Sequence, residues 1–238
     1  MVYDVAVVIP AHNEGRMIGG VVARMKRIFS VVVVVDDGSR DETAQEADRA
    51  GAIVLRHHDC RGKGAALRTG FFFALQMRKA AVITMDGDGQ HLPEDAVSFI
   101  KAWRRRPDID LWVGRRNMFA PEMPALRRAT NIIMSLLISV FALQRVHDTQ
   151  TGYRLITADL LRGVPLFTSH FQTESEVLIR ASWRGFRISS VPIATVYGVE
   201  KSKIRAGRDT ARFFLLLIAL FYFSFRTHKP AYPHAMES

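Results

Sequence analysis

Short apolar runs and longer amphipathic stretches alternate along the first half of this chain. Val5–Ile9, Val31–Val35, Ala52–Leu55, Ala80–Met85 and Leu111–Val113 are rich in β-branched residues and show no polar alternation, which predicts strands buried on both faces. Helical spacing of apolar positions fills the intervals at about 14–28, 41–50, 62–78 and 93–106. Apolar strands separated by helices predict an α/β fold, with a mostly parallel central sheet and helices on both faces. Ligands of such sheets bind beyond the carboxyl ends of the strands. Chemistry-bearing residues are therefore expected directly after each strand.

The pattern changes after residue 115. Pro121 and Pro124 mark a loop, followed by a long apolar helix at 125–143 and a polar stretch that ends in Asp148-Thr-Gln-Thr-Gly-Tyr-Arg154. A helix at 173–184, a strand at about 187–196, a basic loop at 200–208, an apolar helix at 209–226 and a polar tail at 227–238 complete the prediction. Residues 1–118 and 119–208 are expected to form two halves of one domain. No internal repeat or low-complexity segment interrupts them.

The residues at the predicted strand ends carry a consistent chemistry. The first strand ends in Pro10-Ala-His-Asn-Glu14 and the second in Asp36-Asp-Gly-Ser39, with Asp41 and Thr43 opening the next helix. Asp, Gly and Ser suit a strand-to-helix turn, where Ser39 or Asp41 can cap the helix. Together at one sheet edge they also suit a pocket for a base and ribose, where the Asp37 carboxylate can accept from a base N–H. Arg61-Gly-Lys-Gly64 opens the third helix; its glycines admit close backbone approach, and Lys63 brings a cation toward a helix N-terminus that suits phosphate.

Asp86-Gly-Asp88-Gly-Gln90 follows the fourth strand. Two carboxylates two residues apart in a glycine-loosened turn, with Gln90 as a third oxygen, fit a hard cation such as Mg2+ or Mn2+ shared with substrate phosphates. An EF-hand starting at Asp86 needs Gly at its sixth position and Glu at its twelfth, where His91 and Val97 stand. Gln90 replaces the Thr expected of a phosphoaspartate hydrolase. No strand is followed by Gly-x-Gly-x-x-Gly, and the P-loop pattern is absent.

Pro10–Glu14, Asp36–Ser39 with Asp41 and Thr43, Gly62–Gly64 and Asp86–Gln90, in this order and spacing, resemble the motif series of glycosyltransferase family 2. The similarity is strongest to its dolichyl- or polyprenyl-phosphate mannose/glucose synthase branch and runs from about residue 2 to 225. It implies a GT-A fold, a divalent metal, a nucleoside-diphosphate sugar donor linked to GDP or UDP, and inversion at the anomeric carbon. By the same resemblance Pro10, Asn13, Glu14 and Asp37 line the nucleotide pocket, Lys63 contacts the donor, and Asp86, Asp88 and Gln90 hold metal and diphosphate. Arg116 resembles the basic residue of the family's Gly-Ser-Arg motif, Asp148 with Gly152-Tyr-Arg154 its Asp…Ser-Gly-Phe-Arg segment, and the loop holding Lys203 one that closes over the diphosphate. Asp86, Asp88, Arg116 and Arg128 are the expected catalytic set.

Arginine pairs bidentately with phosphate oxygens, so Arg116 with Arg127 and Arg128 at the start of the long helix is read as an acceptor-phosphate clamp. Asp148, Arg154, Glu174 and Lys203 fall on the same acceptor side. A hydroxyl acceptor would need a base, for which Glu174, Glu176 and Asp148 are the candidates; a lipid phosphate would need none. Along the long helix Arg128, Asn131, Ser135 and Ser139 form one polar stripe, and Ile132, Ile133, Met134, Leu136, Leu137, Ile138, Val140 and Phe141 cover the rest. Phe213–Phe223 is a second uninterrupted apolar run. Extended to Phe225 it reaches about 20 Å as a helix, short of the roughly 30 Å of a bilayer core, so it is expected to lie at an interface.

Charge and composition narrow this picture. The 238 residues are 48% hydrophobic, enough for a sizeable core, and carry a formal net charge of +10. Without a zinc pattern, an RNA-binding signature or a basic helix interleaved with aromatics, the positive charge points to anionic lipid and phosphorylated substrates, with no nucleic-acid partner. A single cysteine excludes an internal disulfide framework. The apolar run stopping at Pro10 is too short for a signal peptide, which makes the cytoplasmic face of a membrane the expected location. The apolar helix surfaces also fit a homo-oligomer or a membrane partner. Alternatives to transfer onto a polyprenyl phosphate are transfer to a soluble sugar or small-molecule acceptor, and nucleotide-sugar binding without turnover.

Overall fold

The structure is a computed structural model that describes residues 4–117, 125–170 and 172–194, and of residues 125–127 the backbone only. Lys203, the 200–208 loop, the 209–226 segment and the side chain of Arg127 lie outside the described residues.

Seven strands form one mixed sheet. They are β1 (Val5–Ala11), β2 (Val31–Asp36), β3 (Ile53–Arg56), β4 (Ala81–Thr84), β5 (Leu111–Arg115), β6 (Arg154–Thr157) and β7 (Ile188–Pro192). Their order is β3-β2-β1-β4-β6-β5-β7. All neighbouring pairs are parallel except those of β6, which runs antiparallel to β4 and to β5. The chain builds β2 and β3 outward on one side of β1 and then crosses to β4 on the other. The topological switch therefore lies between the carboxyl ends of β1 and β4, where such sheets open a crevice.

Side chains of a strand alternate between faces, and here both faces are covered. Ala6 and Val8 of β1 with Val31, Val33 and Val35 of β2 enter one core cluster; Val5, Val7 and Ile9 with Val32 and Val34 enter the other. The first core is closed by α3 (Lys63–Gln76), α5 (Ala125–Ala142) and α7 (Gln172–Trp183), the second by α1 (Gly15–Lys26), α2 (Thr43–Arg49) and α4 (Ala96–Arg105). Continuous valine runs were legible as strands because both of their faces are buried.

Two elements were not read from the sequence: β6 and the short helix α6 (Ala158–Gly163). Arg-Leu-Ile-Thr is too brief to show a period, and it begins with an arginine that is 2% exposed. The predicted 93–106 helix resolves into a 3-10 turn at Pro93–Asp95 followed by α4.

Helix α5 turns its polar stripe inward. Asn131 and Ser135 are buried; the Ser139 hydroxyl donates to the carbonyls of Ser135 and Val146. Ile138 and Ala142 enter the core, and Leu137 leans on it. The outward face carries Ile132, Ile133, Leu136 and Val140, with Leu143 just beyond; Leu136 is 64% exposed. Among the described residues no helix is long and apolar enough to cross a membrane.

Candidate active site

The exits of β1 and β2 are laced to each other. Asn13 N–H donates to Ser39 Oγ at 2.9 Å, Arg40 N–H to Asn13 Oδ1 at 3.0 Å, and Glu14 N–H to Thr43 Oγ1 at 2.8 Å. Asn13 has φ 55°, a left-handed conformation that Asn tolerates better than most residues. The His12 ring donates from Nδ1 to the Asp37 carbonyl at 2.8 Å, which leaves Nε2 to accept from Asn13 Nδ2 at 3.1 Å. Pro10 lies in the last turn-ward part of β1, opposite Val35, past the point where β1's pairing with β4 ends at Val8–Thr84. A missing N–H is tolerated there.

Asp37 is tied to the loop that follows β3. Its Oδ1 accepts from His57 Nδ1 at 2.7 Å and Arg61 N–H at 2.9 Å; its Oδ2 accepts from Gly62 N–H at 2.7 Å and the Cys60 thiol at 3.3 Å. Burial alone would raise its pKa, but these donors outweigh that and hold it below the ordinary carboxylate value. With these donors Asp37 anchors the loop that delivers Lys63.

The glycines flanking Lys63 also serve packing. A Cβ on Gly62 would stand 2.5 Å from the Ser169 carbonyl, and one on Gly64 only 1.8 Å from Thr173 Oγ1. Ala65 N–H donates to Ser169 O at 3.1 Å. Ser169, His170 and Thr173 thus lie against the N-terminus of α3, where the sequence suggested an approaching phosphate. Lys63 itself reaches the crevice. Its Nζ is 2.5 Å from Asp86 Oδ1 and 3.2 Å from Glu174 Oε1. Burial alone would lower its pKa; the two carboxylates reverse that and hold it above the ordinary lysine range.

Asp86 and Asp88 sit just past β4, both partly exposed. Gly89 supplies φ +74° for the turn, a value that favours glycine, and Gln90 N–H donates to Asp88 Oδ1 at 3.0 Å. Burial would raise Asp86, but the Lys63 charge dominates, aided by His91 and Arg116, and its pKa is lowered. Burial, then the Asp86 charge, push Asp88 above its ordinary value. Lys63 is paired with Asp86, and Asp88 adds a second carboxylate beside it, a set of oxygen donors that suits a hard cation. No group of three or more His, Cys, Asp or Glu positioned to hold a metal occurs among the described residues. Asp86, Asp88 and Gln90 are oxygen donors, and a cation held by them would complete its sphere with substrate oxygens, as Mg2+ commonly does. His91, which the sequence reading assigned no role, is buried beside this pair with its ring 5.2 Å from that of Tyr153.

The antiparallel β6 brings the acceptor-side residues to the same edge, where most prove to be internally committed. Arg116 forms a buried two-pronged pair with Asp148, Nε to Oδ2 at 2.7 Å and Nη2 to Oδ1 at 2.9 Å. Arg154 spends its guanidinium on the carbonyls of Thr151, Glu174 and Thr149, at 3.0, 2.6 and 2.9 Å. These contacts tie the 149–151 backbone to α7. Asp148 and Glu176 are likewise engaged within the protein. Asp148 is fully buried under Arg116, and Glu176 accepts from Phe167 N–H, Thr168 N–H and Thr168 Oγ1 and forms an ion pair with Arg180. Of the three proposed bases only Glu174 faces the crevice, paired with Lys63. Arg128 stands partly buried in the first turn of α5, on the inward stripe.

Comparison with known proteins gives a consistent result. The sequence model described as Glycosyl transferase family 2 matches residues 6–164. A dolichyl-phosphate hexose transferase of Haloferax volcanii is 34% identical over 192 residues, covering 80% of this chain and 82% of that protein. An undecaprenyl-phosphate mannosyltransferase of Micrococcus luteus is 30% identical over 205 residues, covering 81% and 83%. A crystal structure of glucosyl-3-phosphoglycerate synthase from Mycobacterium tuberculosis, with Mn2+, UDP and glucosyl-3-phosphoglycerate, matches with a TM-score of 0.74 at 20% identity, over 90% of this chain and 78% of that one. At that identity the likeness speaks for the GT-A fold alone.

Proposed function

The chain belongs to glycosyltransferase family 2, and we propose that it transfers a sugar from GDP or UDP to a polyprenyl phosphate at a membrane surface, inverting the anomeric carbon. The observation that carries this reading is the Asp86/Asp88 pair at the switch-point crevice, with Lys63 and Glu174 closing its far wall. The names of the Haloferax and Micrococcus relatives supply the lipid-phosphate class of acceptor.

The laced loops holding Pro10, Asn13 and Glu14 form the nucleotide wall, and Asp37 fixes the loop that places Lys63. Asp86, Asp88 and Gln90 would hold Mg2+ or Mn2+ against the donor diphosphate, whose departing negative charge such a cation stabilises. Lys63 keeps Asp86 ionised and oriented. The acceptor phosphate oxygen forms its bond to the anomeric carbon as the bond to the diphosphate oxygen breaks on the opposite face, and the electron pair leaves with the nucleoside diphosphate. The acceptor is already anionic, so no proton has to be removed. The internal contacts of Asp148 and Glu176 support this reading. Arg128, with Arg127 and Lys203 beyond the described side chains, is proposed to receive the acceptor phosphate; Arg116, held by Asp148, contributes charge close to Asp86.

Helix α5 ties this chemistry to lipid. Its inward stripe begins at Arg128 and its outward face is apolar, so lipid contact on one side would place a phosphate headgroup beside the clamp. Burying each large apolar side chain contributes about 1.5–3 kcal/mol. The 209–226 segment is proposed to add to this attachment.

The test is incubation of labelled GDP- and UDP-sugars with a panel of polyprenyl phosphates, separating lipid from water. Label in the lipid phase, attached through an acid-labile phosphodiester, is expected. A water-soluble glycoside would indicate a hydroxyl acceptor with Glu174 as base. Donor binding without transfer would overturn the enzyme reading.

A further inference from the structure

We propose that Gly152 is a positioning residue, whose absent side chain is the space that the Asp86 carboxylate occupies. The inference rests on the reading of Asp86 as the donor-side carboxylate.

The argument begins with strand register. β6 pairs antiparallel with β4, matching Ala81 with Thr157 and Thr84 with Arg154. Two residues further along each strand, Asp86 comes opposite Gly152. The Thr84 hydroxyl donates to the Gly152 carbonyl at 2.7 Å and holds the two segments together past the end of the ladder. A Cβ built on Gly152 would lie 2.6 Å from Asp86 Oδ2, 2.7 Å from Oδ1 and 2.9 Å from Cγ. These are closer than non-bonded carbon and oxygen atoms approach.

Backbone conformation does not demand glycine here. The glycines with positive φ are Gly38, Gly51, Gly62, Gly89 and Gly185 among the described residues. Gly152 is set apart by what it would strike. A Cβ on Gly64 meets the Ser169 backbone as well as Thr173, so the fold itself must shift. At Gly152 the three nearest atoms all belong to one short side chain, which can relieve the overlap by rotating. Lys63 Nζ stands 2.5 Å from Asp86 Oδ1, so rotation gives up that pair and the direction of the carboxylate. The acceptor-side strand thereby sets the aim of a donor-side group. This links the two halves through space alone, with no bond between the two residues.

A double-mutant cycle tests this. Gly152→Ala, Asp86→Ala and the double variant are compared in full-length protein by calorimetric titration of GDP and UDP with and without Mn2+, and by thermal unfolding. Positioning groups behind a metal ligand typically cost about 10- to 100-fold in affinity when changed; Gly152→Ala is expected to lower Mn2+-dependent nucleotide affinity by that factor. In the Asp86→Ala background, where carboxylate and overlap are both gone, Gly152→Ala is expected to change neither affinity nor Tm. Wild-type affinity in Gly152→Ala, or the same loss on both backgrounds, overturns the proposal. If Gly152→Ala alone does not fold, recovery of folding in the double variant supports it and failure of both overturns it. Wild-type affinity in Asp86→Ala would instead remove Asp86 from the donor site, and the Tm comparison would still decide the spatial claim.

Discussion

Asp88 and Arg154 both belong to motif segments at one edge of the sheet, yet they are held in opposite ways. Asp88 is partly exposed at the crevice beside Asp86, with the Gln90 N–H on one of its oxygens; Arg154 is 2% exposed and gives its guanidinium to three backbone carbonyls. The contrast extends along the chain. On the donor side Asp86, Asp88 and Lys63 face the crevice after parallel strands. On the acceptor side Asp148, Arg116, Arg154 and Glu176 knit loops that a parallel α/β unit would not require. The cause is β6. An antiparallel strand between two parallel ones brings the 146–153 loop across the carboxyl edge, and that loop's backbone groups must find partners away from water. Buried charges supply them. A charged residue in a motif can therefore mark the chemistry, or the scaffold that brings the chemistry together.

This contrast can be broken most severely at Asp148. Removing one partner of a buried ion pair costs about 3–5 kcal/mol, so Asp148→Ala is expected to lower stability by that amount in denaturant titration. A change under about 1 kcal/mol would mean that the pair behaves as a surface one and that Arg116 is available as a clamp.

The two glutamates of α7 sharpen the comparison. Glu176→Ala leaves the Phe167 and Thr168 N–H groups without their acceptor and is expected to cost about 1–3 kcal/mol, with turnover per folded molecule preserved. Glu174→Gln is expected to leave Tm nearly unchanged while lowering turnover, because it weakens the Lys63 contact. The reverse pattern would exchange the roles assigned to them.

The smallest effect is expected at the exposed apolar face of α5. Leu136→Glu should reduce flotation with anionic liposomes by about tenfold, the equivalent of one large apolar side chain lost from lipid. Leu137→Glu, which strikes the core instead, should lower Tm. Equal flotation of Leu136→Glu and wild type would assign the outer face of α5 to a second copy or a partner protein.

Much of the donor side was legible because its signals are local. Val31–Asp36 reads as a buried strand from its own letters, and Asp86–Gln90 gains meaning from following one. The rest depends on contacts distant in sequence. Gly62 and Gly64 looked like phosphate-approach glycines, but Ser169, His170 and Thr173, about a hundred positions later, pack against them. Asp37 looked like a base-reading carboxylate, yet its donors come from residues 57–62. Glu174 and Glu176 are two letters apart on one helix; only packing distinguishes the one facing Lys63 from the one capping a loop. Arg154, polar and at the start of a four-residue strand, concealed both its own burial and the antiparallel strand that explains it.

The central claim is that the Asp86/Asp88 pair is where donor chemistry takes place. The measurement that tests it most directly is the initial rate of sugar transfer into the lipid phase by Asp88→Asn, with wild type in chelator as its companion. Removing a single group that stabilises developing charge typically costs about 10²–10³ in rate. A loss of that size in both arms, with Tm and circular dichroism unchanged in the variant, is the predicted result. Wild-type transfer by Asp88→Asn, or full activity in chelator, would contradict it.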